Sequence, residues 1–329
     1  MVVLSKVVLL VDVFQLIKEG GSVMAKITGG VVHPISTAFT YNDEFDEIGF
    51  RGTVEYAIKA GVQGLWVMGS MGQGPHMSID ERKIAAEVLV DQVKGRVPVI
   101  VCVGTADTRS TIMLAKHAES LKIDYLAVLP LYYGVATEND VIEHFKRVQD
   151  AVPSTPLFEY DNMGTTQFHS SAKFLETLFK EVPNVKGCKP SQREMDDKLK
   201  WLRIMPKDFL YMEPSWEFLP TTVILGAKGT LAPAWFPVAE AGVDLWKAFE
   251  KGDWNVTMKK MAGMDELLQG IRGIAGREAG REVLRLRGVP IQQFNRSKSA
   301  TKGASPEVVQ KLAKFLTSKG IQVKESVTA

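Results

Sequence analysis

The sequence is poor in cysteine, in long apolar runs and in net charge. It has two cysteines, Cys102 and Cys188, each within a run that we interpret as a strand. Disulfide-rich secreted scaffolds carry more cysteine, so this content favours a reducing compartment, and we expect a cytoplasmic protein. No run of about 18 or more apolar residues occurs, so the sequence predicts neither a transmembrane helix nor a membrane partner. A net charge of +2 with neutral histidines gives no reason to expect a nucleic acid partner.

Residues that hold metals and cofactors are equally scarce. The chain has five histidines, and we find no His, Cys and Asp cluster with the spacing of a metal site, which disfavours a metal-dependent enzyme. No glycine-rich dinucleotide fingerprint follows the first apolar run. No phosphate-cradling Gly/Ser loop is evident, so a pyridoxal-phosphate enzyme, which also uses a lysine, ranks low. We therefore expect no cofactor and no metal.

What the sequence does contain is an alternation of short apolar runs with amphipathic runs, beginning near residue 27. The apolar runs lack polar–apolar alternation, as expected for a parallel sheet that is buried on both faces. Eight such repeats predict an α/β fold, a closed (β/α)8 TIM barrel over residues 27–236, with an open doubly wound sheet as the rival. The predicted strands are 31–34, 64–68, 98–103, 125–129, 156–160, 184–189, 209–212 and 229–232.

Predicted extensions flank the barrel on both sides. Residues 1–26 are a predicted N-terminal extension, in which we find no convincing signal-peptide cleavage site. Residues 237–329 carry helical patterns, which we interpret as a C-terminal helical extension packed on the barrel. Within the barrel, Ser78 followed three residues later by Glu81 predicts a capping box at the start of a helix.

Two side chains suited to carbonyl chemistry end successive predicted strands. Tyr160 ends one strand and Lys189 ends the next, with a helical stretch between them. The carboxyl ends of barrel strands share one rim, where barrel enzymes do their chemistry, so we expect the amine and the phenol to meet there. An amine attacks a carbonyl only in its neutral form, which burial favours, and a phenol can move the protons of imine formation. The alternative is an ordinary solvated lysine.

Four spaced motifs carry a resemblance to a known family. Gly-Ser-Met-Gly-Gln at 69–73 stands where the family has Gly-Thr-Thr-Gly-Glu, and Pro-Leu-Tyr-Tyr at 130–133 corresponds to its Pro-Tyr-Tyr. Tyr-Asp-Asn at 160–162 stands for Tyr-Asn, and Gly-Cys-Lys at 187–189 for Gly-Ile-Lys. Over about residues 27 to 320 the chain resembles the dihydrodipicolinate synthase / N-acetylneuraminate lyase superfamily of class I pyruvate aldolases. Gly-Pro at 74–75 is similar to the 2-keto-3-deoxygluconate-type aldolases.

The resemblance implies a role for each matching residue. Lys189 would form the Schiff base with the 2-oxo group of pyruvate, and Tyr160 would be the acid and base of the reaction. Ser70, aligned with a threonine, and Tyr132 would complete a hydroxyl relay to Tyr160. In the family the second tyrosine comes from a neighbouring subunit. The resemblance therefore implies a homo-oligomer, usually a homotetramer built as a dimer of dimers.

The resemblance also implies how the substrate is held. Backbone N–H groups at Ser70 and Met71 would bind the pyruvate carboxylate, and Leu231 would line the imine pocket. The partners would be small molecules, a 2-oxo acid and an aldehyde. Met71 replaces a threonine of the family motif, which removes one hydroxyl from the carboxylate pocket and leaves the backbone donors.

Three further positions depart from the family pattern on the aldehyde side. Thr165 stands where dihydrodipicolinate synthases place an arginine that holds a carboxylate, so lysine biosynthesis is disfavoured. Thr165 and Thr166 could hydrogen-bond sugar-like hydroxyls or could simply cap the next segment. Glu213 replaces a family glycine near the imine, and it could either project into the pocket or lie as a surface glutamate.

We expect a metal-free lyase of the class I Schiff-base type that cleaves or forms a C–C bond between pyruvate and an aldehyde, as for a 2-keto-3-deoxy sugar acid. Three alternatives stay open at this point. They are a condensation like that of dihydrodipicolinate synthase, a sugar-acid dehydratase that uses the same imine, and a catalytically silent member that binds a 2-oxo acid.

Overall fold

The computed structural model of the protein describes residues 27–191, 194–276, 279–296 and 303–324. The predicted N-terminal extension at 1–26 lies outside the described residues and stays a prediction. Within the described ranges, no helix combines the length and the apolar character needed to cross a membrane.

Eight parallel strands close into a barrel in which each strand pairs with the next and the last pairs with the first. This arrangement confirms the predicted (β/α)8 fold. Every strand residue except Lys186 is buried, because side chains on one face fill the barrel and those on the other face meet the helices. The strands are β1 Gly30–Pro34, β2 Gly64–Val67, β3 Val99–Cys102, β4 Tyr125–Val128, β5 Leu157–Asp161, β6 Val185–Pro190, β7 Leu210–Glu213 and β8 Gly229–Thr230.

Helices follow the strands and form the outer layer of the barrel. Their starts use the caps that the sequence offers, and the predicted capping box of Ser78 and Glu81 is present. Ser171 caps the helix that lies between β5 and β6. The helices are α1 Glu47–Lys59, α2 Ile79–Val93, α3 Thr108–Ser120, α4 Glu138–Ala151, α5 Met163–Thr166, α6 Ala172–Glu181, α7 Met195–Ile204, α8 Leu219–Ile224, α9 Ala239–Glu250, α10 Trp254–Ala275, α11 Gly280–Leu286 and α12 Pro306–Ser318.

The interior of the barrel is filled by a separate cluster of side chains. Trp66, Phe158 and Tyr160 form its aromatic part, and Trp66 meets the edge of the Tyr160 ring at 5.1 Å between centroids. Leu231, which follows β8, belongs to the same inner cluster. The larger core lies outside the sheet, between the strands and the helices. The Tyr160 ring is therefore held by packing inside the barrel.

The helices after β8 pack on the barrel and on one another. The helix α9 contacts β1, and α10 packs against both α9 and α12. Leu312 and Leu316 of α12 are fully buried in the outer core. Where α10 crosses α12, Gly270 lies directly against the ring of Phe315. The close approach of these two helices depends on the absence of a side chain at Gly270.

A pair of substitutions in α10 tests this packing. In Gly270→Ala the new methyl group would overlap the Phe315 ring, so we expect the free energy of unfolding to fall by about 1–3 kcal/mol. Gly273→Ala, in the same helix, has nothing within 4 Å of the added methyl and should stabilise by up to about 1 kcal/mol. Chemical denaturation of both variants gives the comparison. Equal effects at the two positions would contradict the described packing of α10 on α12.

Candidate active site

The pairing of β5 with β6 brings the predicted amine and phenol together. Tyr160 lies directly opposite Lys189 in the register of the two strands. Lys189 Nζ is 3.4 Å from Tyr160 Oη and 4.4 Å from the centre of the Tyr160 ring. Lys189 is only 7% exposed, so the alternative of a solvated surface lysine is wrong.

An irregularity in β6 determines which way Lys189 points. Leu157 pairs with Val185, but the next residue, Phe158, pairs with Gly187, so Lys186 is an extra residue in the strand. One extra residue reverses the alternation of side chains along the rest of a strand. Val185 therefore packs in the outer core, whereas Lys189 lies inside the barrel beside Tyr160.

The neighbours of Lys189 in β6 follow the same alternation. Cys188 packs in the outer core, on the opposite face from Lys189, as the strand period predicts. Gly187 faces inward onto the Phe158 ring, and a Cβ atom there would overlap that ring. A glycine at 187 therefore lets Phe158 fill the barrel below the amine.

A cluster of hydroxyl and amide groups surrounds the phenol. Ser70 Oγ is 3.1 Å from Tyr160 Oη. Asn162 Nδ2 donates to Ser70 Oγ at 3.0 Å and to Tyr160 Oη at 3.3 Å. Lys189 Nζ also donates to Ser191 Oγ at 3.4 Å. Sequence reasoning placed Ser70 in the site but did not single out Asn162 or Ser191. Each lies two residues after Tyr160 or Lys189, and that spacing was the available signal.

A tight turn after β2 presents Ser70 to this cluster. Gly72 and Gly74 fold back against the backbone of Met68, where Cβ atoms would overlap main-chain atoms, and Gln73 has φ of 54°. Ser70 and Met71 line a cavity of about 260 Å³. Other walls of this cavity come from the segment after β8 and from α10 and α11, including Pro233, Ala234, Leu268, Arg272 and Arg281.

The expectation that Glu213 projects into the imine pocket is corrected by its contacts. Glu213 is fully buried, accepts a hydrogen bond from Lys198 Nζ at 2.6 Å, and accepts another from the Ser215 backbone at 2.8 Å. Met212 belongs to the inner cluster, so Glu213, the next residue, faces the helix layer and Lys198 of α7. It is neither a partner of Lys189 nor a surface glutamate. Burial raises the pKa of Glu213, and Lys198 opposes that rise.

The two threonines after β5 have different surroundings. Thr166 is buried, and its hydroxyl donates to the Asn162 carbonyl at 3.2 Å and accepts from the Phe168 backbone at 3.3 Å. Thr166 therefore serves its own segment, which corrects its assignment as a substrate-binding residue. Thr165 is exposed at the surface of the same short helix.

Tyr132 is not brought into the cluster within one chain. It is half-buried, and among the described residues it forms no hydrogen bond with Ser70 or Tyr160. Burial raises the pKa of Tyr132, and the charge of Arg82 partly opposes that rise. The adjacent Tyr133 is 90% exposed. Within the described residues, Tyr132 is therefore not hydrogen-bonded to the implied relay of its own chain.

Two buried carboxyl groups lie on the outer face of β5, behind Tyr160. Glu159 accepts a hydrogen bond from Ser170 Oγ at 2.7 Å, as expected for a carboxyl group directed at the helix layer. Burial and the nearby Asp161 raise the pKa of Glu159 well above its ordinary value. Burial likewise raises the pKa of Asp161 to about 7, while the backbone N–H of Ser170 and the charge of Lys189 oppose the rise. Two carboxyl groups so close in a dry layer do not both ionise readily.

No group of three or more His, Cys, Asp or Glu side chains is placed to hold a metal ion within the described ranges. The polar atoms around Lys189 are hydroxyl, amide and amine groups. The site has the composition of a proton-transfer site around a nucleophilic amine.

The fold and this site define a (β/α)8 barrel protein that carries an amine, a phenol and a hydroxyl in contact at the carboxyl ends of its strands. Residues 27–321 match the Dihydrodipicolinate synthetase family, and the chain belongs to that family. The resemblance found in the sequence is thereby confirmed.

Relatives within the family bear different names. The chain is 30% identical over 246 residues to the "Putative 2-dehydro-3-deoxy-D-gluconate aldolase YagE" of Escherichia coli K12, covering 73% of this chain and 78% of the relative. It is 31% identical over 183 residues to a 4-hydroxy-tetrahydrodipicolinate synthase of Brucella abortus, covering 56% of this chain and 62% of that enzyme.

Solved structures share the fold. The crystal structure of YagE in complex with pyruvate superposes with a TM-score of 0.80 at 24% identity, covering 90% of this chain and 100% of that one. The CdNal structure from Clostridium difficile in complex with mannosamine gives a TM-score of 0.81 at 19% identity, with coverage of 89% and 100%.

The buried acid pair predicts how stability depends on pH. The pKa of Asp161 is raised from 3.8 to about 7, so between these values the folded protein keeps a proton that the unfolded chain releases. The contribution of Asp161 to the free energy of unfolding is therefore fully present below pH 3.8. This contribution, at most about 4 kcal/mol, is lost as the pH rises through about 7. We expect Asp161→Asn to be more stable than the parent at pH 8, with the difference shrinking toward pH 4.

Urea denaturation across this pH range measures the effect. Asp150→Asn, which removes an exposed carboxylate from α4, is the matched control and should give no such pH-dependent gain. A stability difference for Asp161→Asn that stays constant from pH 4 to pH 8 would refute the assignment of the proton to this group.

Proposed function

We propose that this protein is a class I, Schiff-base-forming lyase that cleaves or forms a C–C bond between pyruvate and an aldehyde. The observation that carries the proposal is the buried Lys189 Nζ, 3.4 Å from Tyr160 Oη inside the barrel. This distance is within reach of proton transfer between a bound carbonyl group, the amine and the phenol.

The first step is imine formation at Lys189. The neutral amine attacks the 2-oxo carbon, the nitrogen loses one proton and the carbonyl oxygen gains one, and a neutral carbinolamine results. Tyr160, directly or through the Ser70 hydroxyl at 3.1 Å, gives its proton to the carbinolamine hydroxyl. The C–O bond breaks, water leaves, and the nitrogen lone pair forms the C=N bond. The products are a cationic iminium, a phenolate at Tyr160 and one water molecule.

The second step uses the iminium as an electron sink. The phenolate of Tyr160 takes the proton of the aldol hydroxyl, the C–C bond breaks toward the iminium, and an aldehyde and a neutral enamine result. A proton then returns from Tyr160 to the enamine carbon, and water hydrolyses the iminium to release pyruvate and the amine. Condensation runs through the same steps in reverse. The iminium nitrogen accepts the electron pair of the broken C–C bond. Tyr160, with Ser70, carries out the proton transfers of these steps.

The turn after β2 supports the binding of the pyruvate carboxylate. Ser70 and Met71 line the cavity, and within the described part of the chain their backbone N–H groups donate no hydrogen bond. Such N–H groups suit an anion. Leu231, in the inner cluster with Tyr160, supports an apolar wall for the imine.

The aldehyde is proposed to be hydroxylated, as in glyceraldehyde, so that the cleaved substrate is a 2-keto-3-deoxy sugar acid. The name of the YagE relative supports this substrate class. The exposed Thr165 supports it too, because it offers a hydroxyl group and no positive charge to the aldehyde side. The names of the Brucella relatives favour a dihydrodipicolinate synthase-like condensation as the second candidate. Release of pyruvate and an aldehyde from the sugar acid separates cleavage from condensation and from simple dehydration.

A homo-oligomer, a dimer of dimers, is part of the proposal. Tyr132 is proposed to complete the hydroxyl relay of a neighbouring subunit, since it forms no hydrogen bond to Ser70 or Tyr160 among the described residues of its own chain. A solved structural relative with a TM-score of 0.79 is described as a monomeric dihydrodipicolinate synthase variant, so family membership alone leaves assembly open.

Borohydride trapping tests the imine. With pyruvate present, reduction should add covalent mass to the peptide that contains Lys189, and Lys189→Ala should abolish both the adduct and turnover. Lys186→Ala is the matched control, because Lys186 is an exposed lysine three residues away on the same strand. An adduct that persists in Lys189→Ala would show that Lys189 is not the nucleophile.

A pair of tyrosine variants tests the relay between subunits. We expect Tyr132→Phe to lower kcat by about 10²-fold, the size of a lost proton-transfer contribution, while trapping at Lys189 still occurs slowly. Tyr133→Phe removes the neighbouring exposed hydroxyl and should stay close to the parent. Steady-state kinetics at fixed oligomeric state, checked by sedimentation, make the comparison. If Tyr133→Phe lowers kcat and Tyr132→Phe does not, Tyr133 is the tyrosine that completes the relay of the neighbouring subunit.

A further inference from the structure

The side chain of Asn162 is committed to the two hydroxyl groups of the site. Its Nδ2 donates to Ser70 Oγ at 3.0 Å and to Tyr160 Oη at 3.3 Å. Asn162 is also the residue before the short helix α5, but its side chain makes no capping hydrogen bond there. The cap is made by its backbone carbonyl, which accepts from the N–H groups of Thr165 and Thr166 at 2.8 and 2.9 Å. The side-chain amide of Asn162 therefore makes no capping hydrogen bond to the helix that follows it.

The amide determines the direction of the hydrogen bonds around Tyr160. An amide NH₂ group only donates, and the Lys189 amine donates to the phenol oxygen. Tyr160 Oη then accepts from Asn162 Nδ2 and from Lys189 Nζ, at 3.3 and 3.4 Å, so both of its lone pairs are used. The phenolic hydrogen is left to point at Ser70 Oγ, 3.1 Å away. Ser70 Oγ accepts from Asn162 as well, so the Ser70 hydrogen is directed into the cavity that Ser70 lines.

The same amide is placed to stabilise negative charge that develops on the phenol oxygen during proton transfer. When Tyr160 loses its proton, the Asn162 N–H remains aimed at the oxygen that has become negative. A donor that is already in place stabilises such a charge without rearrangement, and hydrogen bonds to charged groups are stronger than those between neutral groups.

We propose that Asn162 is a positioning residue that directs the proton path from Tyr160 through Ser70 to the substrate and stabilises the phenolate formed on the way. This inference rests on the proposed imine-forming function. As the carbinolamine hydroxyl leaves, it takes the Ser70 hydrogen, and Ser70 takes the hydrogen of Tyr160. One C–O bond breaks, one water molecule departs, the C=N bond forms, and the negative charge rests on Tyr160 beside the Asn162 amide.

The proposal assigns a part of the relay to a residue of the same chain. Ser70 and Tyr160 each have Asn162 as a hydrogen-bond partner, whereas Tyr132 forms a hydrogen bond with neither among the described residues. An amide cannot pass a proton onward, so Asn162 orients and stabilises but does not transfer. Its removal should therefore slow proton-dependent steps and leave pyruvate binding nearly unchanged.

Three substitutions at one position test the idea. Asn162→Ala removes the donor, Asn162→Asp replaces it with an acceptor of the same shape, and Asn162→Gln keeps a donor on a longer side chain. For each variant, the rate of pyruvate-dependent trapping at Lys189 and the kcat and KM for cleavage are measured from pH 4 to pH 9. Asn139→Ala, at an exposed position of α4, is the control.

We expect Asn162→Ala to lower kcat and the trapping rate about 10- to 100-fold, while KM for the cleaved substrate and the pyruvate concentration that gives half-maximal trapping stay within about threefold. Asn162→Asp should be slower still near pH 8, because an ionised carboxylate accepts from both hydroxyls and repels the phenolate. Its rate relative to Asn162→Ala should rise as the pH falls toward about 4, where a carboxyl group can donate. Asn162→Gln should recover part of the lost rate.

Other outcomes overturn the inference. If Asn162→Ala keeps the parent's kcat and pH profile, or if Asn162→Asp matches Asn162→Ala at every pH, the amide does not direct the proton path. An equal loss in all three variants together with a lowered melting temperature would show a structural role instead. Failure of the parent protein to trap pyruvate would refute the proposed function itself, and that result is read before any Asn162 variant is compared.

Discussion

The site depends on one extra residue in the sixth strand. Lys186 has no partner in the register of β5 and β6, and after it every side chain of β6 changes face. Without that residue, strict alternation from Val185 would direct Lys189 into the helix layer and Cys188 into the barrel. The contact between Lys189 and Tyr160, the packing of Gly187 on Phe158 and the burial of the amine all follow from this change of phase.

The sheet separates two chemical environments. Inside the barrel, polar atoms meet at Tyr160 and Lys189. Behind the same strands, Glu159, Asp161 and the Lys198–Glu213 pair are buried in the helix layer. Buried charges of this kind are costly to leave unpaired, so the layer behind the site is stabilised by proton uptake and by ion pairing. The strand that carries Lys189 is thus flanked by β5 and β7, whose outer faces bear these buried carboxyl groups.

Much of the fold was predictable, because the apolar runs and caps are local signals. The eight strands lie within one or two residues of most of the predicted runs, and the capping box of Ser78 and Glu81 is where its spacing indicates. The inward direction of Lys189 was predicted from its position at a strand end, without knowledge of the extra residue. Glu213 was misjudged because a motif comparison aligns positions but does not report which face a side chain takes. Asn162 was missed because its partners, Ser70 and Tyr160, are 92 and 2 residues away, and only the closed barrel joins them.

The cavity beside Ser70 has walls from two parts of the chain. The barrel contributes Ser70 and Met71, and α10 and α11 contribute Leu268, Arg272 and Arg281. A molecule that fills its roughly 260 Å³ touches both sets of walls at once. The barrel loops and the C-terminal helices therefore enclose this cavity jointly. A chimera that exchanged only the loops with those of a relative would change one set of its walls and keep the other.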